Sequence, residues 1–135
     1  MGCTTGTNPA EVAVQNSTKI QISCIAHASY YQKVILSFNK DMSAPIGVFA
    51  GNGEGVPMKL ENGDTMLTIS TGANNVLYAN FQYSQSSTQG PFQQATVCAP
   101  IVVGTGPIVT FITSEDLNDD DDNDSYLTLI DYTTK

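Results

Sequence analysis

The chain of 135 residues contains no arginine, only one histidine and three cysteines, and its five lysines are scattered along the sequence. Nucleic-acid binding needs clustered cations that neutralise phosphates, so it is not expected here. No apolar stretch approaches the roughly 20 residues that span a bilayer, so membrane insertion is not expected. No charged start followed by an apolar run marks a signal peptide. The length and composition predict a single domain, residues 1–135, with its own core.

The three cysteines, Cys3, Cys24 and Cys98, have none of the spacings of a zinc site. Cys24 and Cys98 lie inside apolar, strand-like runs, where a buried free thiol is the expected state. Because the number of cysteines is odd, at least one of them has no partner within the chain. The sequence leaves open whether any two are bridged.

Alternation of apolar and polar residues predicts β-strands along the whole chain. In residues 20–25 and 77–84 the period is two, which is typical of half-buried strands. Turn signals such as Gly51-Asn52-Gly53 separate the segments. About nine short strands at a spacing of roughly 8–12 residues predict an all-β fold, a single antiparallel β-sandwich. The further strand candidates are residues 12–14, 33–38, 46–49, 65–70, 95–98, 108–113 and 126–132.

Acidic residues are concentrated between Glu115 and Asp124, where seven of the thirteen in the chain occur. The remaining six acids and five lysines sum to −1, so nearly all of the net charge of −8 comes from this run. Like charges this close repel unless a cation lies on them. Oxygen-only ligands in irregular geometry suit calcium better than magnesium. A like-charge block is usually a solvated loop, but this run abuts the strand candidate at residues 126–132.

The spacing of the ligand candidates excludes some calcium motifs. An EF-hand loop would need a glutamate where Ile130 stands, and it would need a glycine at its sixth position. Nothing recurs as in a nonapeptide β-helix. Alternation within the run places three side chains on one side of an extended loop, and four carboxylates nearly neutralise two calcium ions but overload one. A paired-ion site is therefore favoured, with the ligand candidates Glu115, Asp119, Asp121, Asn123 and Asp124.

The run Ser114 to Asp124, followed by an apolar strand, resembles the signature of the bacterial fucose-binding lectin II (LecB-like) family. Residues 10–39 also resemble the N-terminal strands of that family, whereas residues 40–107 match it only diffusely. The resemblance implies a calcium-dependent, non-enzymatic lectin that binds mannose- or fucose-type sugars through two adjacent calcium ions. It also implies a homodimer or homotetramer. Members are often exported without an N-terminal signal, so localisation stays open.

The resemblance assigns roles to individual residues. The metal ligands would be the five candidates of the acidic run together with the backbone carbonyl of His27. The loop Ala28-Ser29-Tyr30 takes the place of the segment that sets sugar preference. The sugar-binding residues so implied are Ala28, Ser29, Tyr30, Asp116, Asp119, Asp121, Asn123 and Asp124.

Four departures from the family pattern affect this expectation. Leu117 replaces a usual glycine, so the backbone there must avoid a positive φ or be strained. Tyr30 replaces a small residue and either stacks on a sugar or obstructs the site. Ala28 is closer to the loop of mannose-preferring members. The chain ends in Lys135, whereas members end in a glycine whose carboxylate reaches the partner subunit's calcium site.

Other functional classes account less well for these residues. Two carboxylates such as Asp116 and Asp121 could serve a glycosidase, but the cluster is too dense in like charge to keep one acid protonated. His27 is the single candidate base of a nucleophilic triad, and a lone histidine in an apolar strand is more often structural. The main alternative is a non-enzymatic adhesion or structural β-sandwich module in which calcium only rigidifies the loop.

Overall fold

The computed structural model describes residues 3–14, 19–86, 88–115 and 124–132. These residues form ten β-strands, and no helix occurs among them, so none of the described segments is a helix able to cross a membrane. The strands are β1 (Ala10–Ala13), β2 (Ile20–Ser37), β3 (Gly47–Pro57), β4 (Met66–Ile69), β5 (Val76–Ser84), β6 (Gln93–Gln94), β7 (Thr96–Val97), β8 (Ile101–Val103), β9 (Ile108–Glu115) and β10 (Ser125–Asp131).

Every pairing between these strands is antiparallel. The main path runs β1-β5-β2-β10-β9-β7, while β3 and β4 pair with β2, β6 pairs with β5, and β8 pairs with β9. The first part of β2 pairs with β10 and β4, and its last part pairs with β5 and β3. β2 therefore connects the two halves of a sheet that curves around the core almost as a barrel. The predicted all-β antiparallel fold is confirmed, with ten strands instead of about nine, two of them long.

The core lies on the inner face of this curved sheet, where alternate strand residues are buried. In β2, Ile20, Ile22 and Cys24 point inward, and residues between them are partly exposed. The same period of two appears in β10, where Leu127 and Leu129 are buried. This alternation follows from pleating, which sends successive side chains to opposite faces. The largest fully buried side chains include Phe49, Phe81, Ile22, Leu36, Met58, Leu77, Ile112 and Leu127.

A disulfide joins Cys3 to Cys98, across 95 positions of sequence. The prediction of a free thiol at Cys98 is therefore wrong, because the N-terminal segment returns to the outer edge of β7, a contact that no local pattern encodes. Two backbone bonds hold that segment there, from the Gly6 nitrogen to the Val97 carbonyl (2.7 Å) and from the Ala99 nitrogen to the Thr4 carbonyl (2.7 Å). Cys24 is the buried free cysteine, as predicted.

Candidate functional site

The structure describes six of the predicted site residues. Glu115 ends β9, Asp124 immediately precedes β10, and His27 lies within β2, followed by Ala28, Ser29 and Tyr30. The remaining predicted residues, Asp116, Asp119, Asp121 and Asn123, lie outside the described residues, as do Leu117 and Lys135.

Glu115, Asp124 and His27 form one row across three neighbouring strands. Ser125 pairs with Ser114 on one side and with Ala26 on the other. One step back along β10, Asp124 therefore stands between Glu115 and His27. The backbone bonds agree: the Asp124 nitrogen donates to the Ser114 carbonyl (2.8 Å), and the His27 nitrogen donates to the Asp124 carbonyl (2.9 Å). Sheet pairing thus brings together residues almost one hundred positions apart in the sequence.

The two carboxylates of this row are buried on the side of the sheet that faces away from the core. Alternation places Glu115 and Asp124 opposite in direction to the inward-facing Ser114 and Ser125. Other residues on the outer face, such as Tyr126, are partly exposed. Glu115 and Asp124 are nevertheless only 8% and 2% exposed. Carboxylates removed from water are costly unless a cation or several hydrogen bonds compensate.

This arrangement fits a hard divalent cation. The row offers two carboxylates and a backbone carbonyl, all of them oxygen donors of the kind that calcium prefers. Within the described ranges, no group of three His, Cys, Asp or Glu side chains is gathered closely enough to hold a metal by itself. A site built on Glu115 and Asp124 therefore needs further ligands, and the sequence supplies candidates between these two residues, at Asp119, Asp121 and Asn123.

Glu54 extends the row to a fourth strand and was not identified from the sequence. His27 of β2 is the register partner of Glu54 in β3, and the His27 Nδ1 atom lies 3.5 Å from the Glu54 Oε1 atom. The Glu54 side chain is 82% exposed. No sequence signal marked it, because Glu54 lies in a glycine-rich segment that predicts a turn.

The predicted sugar-preference loop lies in a bulge of β2. Ala28 pairs with Gly53 of β3, and the next pair is Gln32 with Gly51. Three residues of β2, Ser29, Tyr30 and Tyr31 (the β2 bulge), therefore stand opposite a single residue of β3. Bulges of this kind re-aim side chains next to binding sites.

The residue opposite the β2 bulge is Asn52, whose side-chain nitrogen donates to the Ser29 carbonyl oxygen at 3.1 Å. The turn predicted at Gly51-Asn52-Gly53 is wrong, because these residues continue β3 along β2. Gly53 has a φ of 116°, which an ordinary residue rarely adopts. The glycines therefore allow the irregular pairing of β3 with β2 and do not form a chain reversal.

Buried side chains connect the β2 bulge to the start of β10. The Gln32 Nε2 atom donates to the Tyr30 carbonyl at 3.1 Å, and the Ser125 hydroxyl donates to Gln32 Oε1 at 3.1 Å. Gln32 is fully buried. Since Ser125 follows Asp124 directly, this chain of bonds ties the bulge to the carboxylate row.

The three residues of the predicted loop are exposed to different degrees. Ala28 is buried, Ser29 is exposed and Tyr30 is half-buried. The Tyr30 ring stacks on Tyr83 of β5, with centroids 6.3 Å apart and an interplanar angle of 22°. Tyr30 also packs against the core. One face of its ring is thus held by the protein, as expected for a core tyrosine.

The fold that carries this site is shared with solved bacterial lectins. The Chromobacterium violaceum lectin CV2L in complex with alpha-methyl-fucoside matches with a TM-score of 0.70 at 15% identity, over 93% of this chain and 96% of that one. The Ralstonia solanacearum high-affinity mannose-binding lectin matches with a TM-score of 0.68 at 14% identity, over 92% of this chain and 96% of that one. The C-terminal domain of the BC2L-C lectin from Burkholderia cenocepacia matches with a TM-score of 0.64 at 19% identity, over 90% of this chain and 94% of that one.

The chain has the fold of these lectins. At such identities the likeness establishes the fold alone. No protein-family model matches the sequence, and no curated protein matches it either. Membership of the LecB-like family therefore stays a prediction. The matches extend across residues 40–107 as well, a region in which the sequence alone gave only a diffuse resemblance.

Proposed function

We propose that this chain is a calcium-dependent lectin that binds mannose- or fucose-type sugars. The observation that carries the proposal is the row of buried carboxylates, Glu115 and Asp124, immediately beside the β2 bulge at Ser29. The fold supports it, since one similar structure is a complex with alpha-methyl-fucoside and another is named as a mannose-binding lectin.

Glu115 and Asp124 would hold the metal together with Asp119, Asp121, Asn123 and the His27 carbonyl. About two calcium ions per chain are expected, because four ligand carboxylates nearly neutralise two divalent cations but overload one. When bound, calcium supplies coordination positions that two vicinal sugar hydroxyls can occupy. This chemistry selects rings that carry such a pair of hydroxyls.

The protein's own groups would then orient the sugar. Ser29 is exposed at the β2 bulge and can exchange hydrogen bonds with a hydroxyl. Carboxylates of the acidic run, Asp116 among them, would accept further hydrogen bonds, which are stronger when the acceptor is charged. The bond from Gln32 to the Tyr30 carbonyl fixes the bulge before the ligand arrives, so little order has to be gained on binding.

The protein is expected to bind its ligand without chemical turnover. An assembly of two or four copies would combine weak individual sites into useful avidity. Residues 133–135, whose family counterparts contribute to subunit contacts, lie outside the described residues.

Calorimetry tests the proposal directly. EDTA-stripped protein is titrated with calcium, and methyl α-mannoside and methyl α-fucoside are then added in parallel. The expected result is about two ions per chain, followed by sugar heat that disappears when EDTA is restored. Calcium heat without sugar heat would support the structural calcium module instead. No calcium heat would leave the acidic run a solvated loop and contradict the proposal.

A further inference from the structure

A cavity of about 180 Å³ opens beside the β2 bulge, on the side of β5. The bulge forms one wall, and Asn52 of β3 contributes to another. Gln85, Ser86 and Thr88, from the segment that follows β5, also line the cavity. This segment belongs to the middle of the chain, where the sequence resembles the lectin family least.

The described side chains that line the cavity carry polar groups but no ionised group. Among the described residues that surround the cavity there is no Asp, Glu, Lys or His; all of them are Ser, Thr, Tyr, Asn or Gln. In a chain with a net charge of −8, and beside a row of carboxylates, this neutrality is informative. Hydroxyl and amide groups both donate and accept hydrogen bonds. They suit an uncharged, hydroxyl-rich ligand better than an ion or an apolar molecule.

The walls are fixed by contacts within the protein. Asn52 is bonded to the Ser29 carbonyl, and the Tyr30 ring is stacked on Tyr83. Tyr31 packs on Phe92 with ring centroids 6.3 Å apart. On the far side, the Ser86 nitrogen donates to the Ser84 hydroxyl at 3.2 Å. Because these walls are already ordered, little conformational entropy is lost when a ligand enters the cavity.

Position and size restrict the ligand further. The cavity shares Ser29 and Tyr30 with the predicted monosaccharide site, so a group attached to a sugar bound there can reach it. Its volume is below the roughly 300–1,000 Å³ of pockets that take drug-sized molecules. It therefore suits one additional ring and not a long chain.

We propose that this cavity binds a second, uncharged sugar residue linked to the first, so that the protein selects a disaccharide unit over a free monosaccharide. The inference rests on the proposed lectin function, because it takes the first ring to be bound at the β2 bulge. Linkage would be selected by which glycosidic bond directs the second ring towards Gln85 and Thr88.

The test compares monosaccharides with disaccharides in calcium-loaded protein by calorimetry. The probes are methyl α-mannoside against the α1→2, α1→3 and α1→6 mannobioses, and methyl α-fucoside against fucosyl-α1→2-galactose. At least one disaccharide is expected to bind about tenfold more tightly than its monosaccharide, the equivalent of one or two net hydrogen bonds. A preference for one linkage is also expected.

Thr88→Tyr would fill the cavity and should abolish the gain in affinity of the disaccharide over the monosaccharide. The dissociation constant of the monosaccharide should stay within about twofold, because Thr88 is outside the first site. Thr105→Tyr, the same change at an exposed turn between β8 and β9, is the matched control and should keep the gain. Gln85→Ala should reduce the gain several-fold without adding bulk.

Two outcomes would overturn the inference alone: monosaccharides bind but no disaccharide exceeds them, or the gain survives in Thr88→Tyr. Absence of all sugar binding in calcium-loaded protein would overturn the lectin proposal and this inference together. The failures of the two proposals are thereby distinguishable.

Discussion

Two consecutive stretches of β2 differ in what they contribute. Residues 20–26 alternate strictly between buried and partly exposed positions, and β10 pairs with them without interruption. In residues 27–31 the pairing with β3 is irregular, the alternation fails at Tyr30 and Tyr31, and three residues stand opposite one. The regular stretch supplies core burial, whereas the irregular stretch presents carbonyls and side chains at an angle that a flat ladder cannot offer. Stability and binding should therefore respond to different substitutions in one strand.

The largest effect is expected from the carboxylates beside the irregular stretch. The double variant Glu115→Gln, Asp124→Asn should weaken calcium binding at least about 100-fold, because two charged ligands become neutral. Sugar binding should be lost with it. The measurement is calorimetric titration of EDTA-stripped protein. The control is Glu61→Gln, Asp64→Asn, which removes the same two charges from exposed positions. Equal affinities in the two variants would contradict the placement of the site.

The regular stretch should instead control the free energy of unfolding. Ile22→Ala, at a fully buried position, is expected to lower it by about 3 kcal/mol, from lost apolar burial and the cavity left behind. The dissociation constant for sugar should stay unchanged at low temperature. Urea denaturation measures the free energy of unfolding. Ile101→Ala, at a position that is 62% exposed, should change stability by less than about 0.5 kcal/mol. A loss below 1 kcal/mol in Ile22→Ala, on the ~2–5 kcal/mol scale for such changes, would argue against this assignment.

Gln32 is expected to contribute both to stability and to sugar binding. Gln32→Met keeps the length of the side chain but removes its bonds to the Tyr30 carbonyl and the Ser125 hydroxyl. The free energy of unfolding should fall by about 1–2 kcal/mol, and sugar affinity should fall several-fold, because the bulge is no longer tied to β10. Gln21→Met, on the regular stretch, serves as the control. If the two variants bind sugar equally well, Gln32 has no positioning role.

The smallest effect at neutral pH concerns Cys24 in the regular stretch, because its thiol is protonated there in both the folded and the unfolded chain. Burial raises the pKa of its thiol from 9.0 to about 12. Above pH 9 the unfolded thiol releases its proton while the folded one keeps it, so stability should fall as pH rises from 9 towards 12. Urea denaturation at several pH values measures the free energy of unfolding of the wild type and of Cys24→Ala. Between pH 9 and pH 12 the free energy of unfolding of the wild type should fall relative to that of Cys24→Ala. A difference independent of pH would show that the Cys24 thiol is not buried in the folded protein.

The sequence predicted the regular elements well. The alternation at residues 20–25 and 126–132 marked strands because burial of one face imposes a period of two. The β2 bulge left no such signal, since Ser29, Tyr30 and Tyr31 fit no period. Glycines around Asn52 predicted a turn, although they serve the continuing β3. Local patterns report the face of a strand, but they do not report which strand will be its partner.

The candidate site was predicted only in part, for the same reason. The density of carboxylates from Glu115 onwards was visible in the sequence. The alignment of Glu115, Asp124, His27 and Glu54 in one row depends on the registers of four strands, which no local pattern fixes. The neutral cavity depends on β5 meeting the β2 bulge at the pair Tyr31 and Ser84, a contact between distant segments.

The disulfide between Cys3 and Cys98 makes a covalent ring of most of the chain, with the segment after β5 inside it. A protease that cuts the exposed stretch at Gln85 or Ser86 would therefore leave two fragments still joined through the bridge. Such a nicked protein should migrate as one species on a non-reducing gel and as two species after reduction. Where this lectin fold meets proteases, a cut at the rim of the cavity would not separate the pieces that build it.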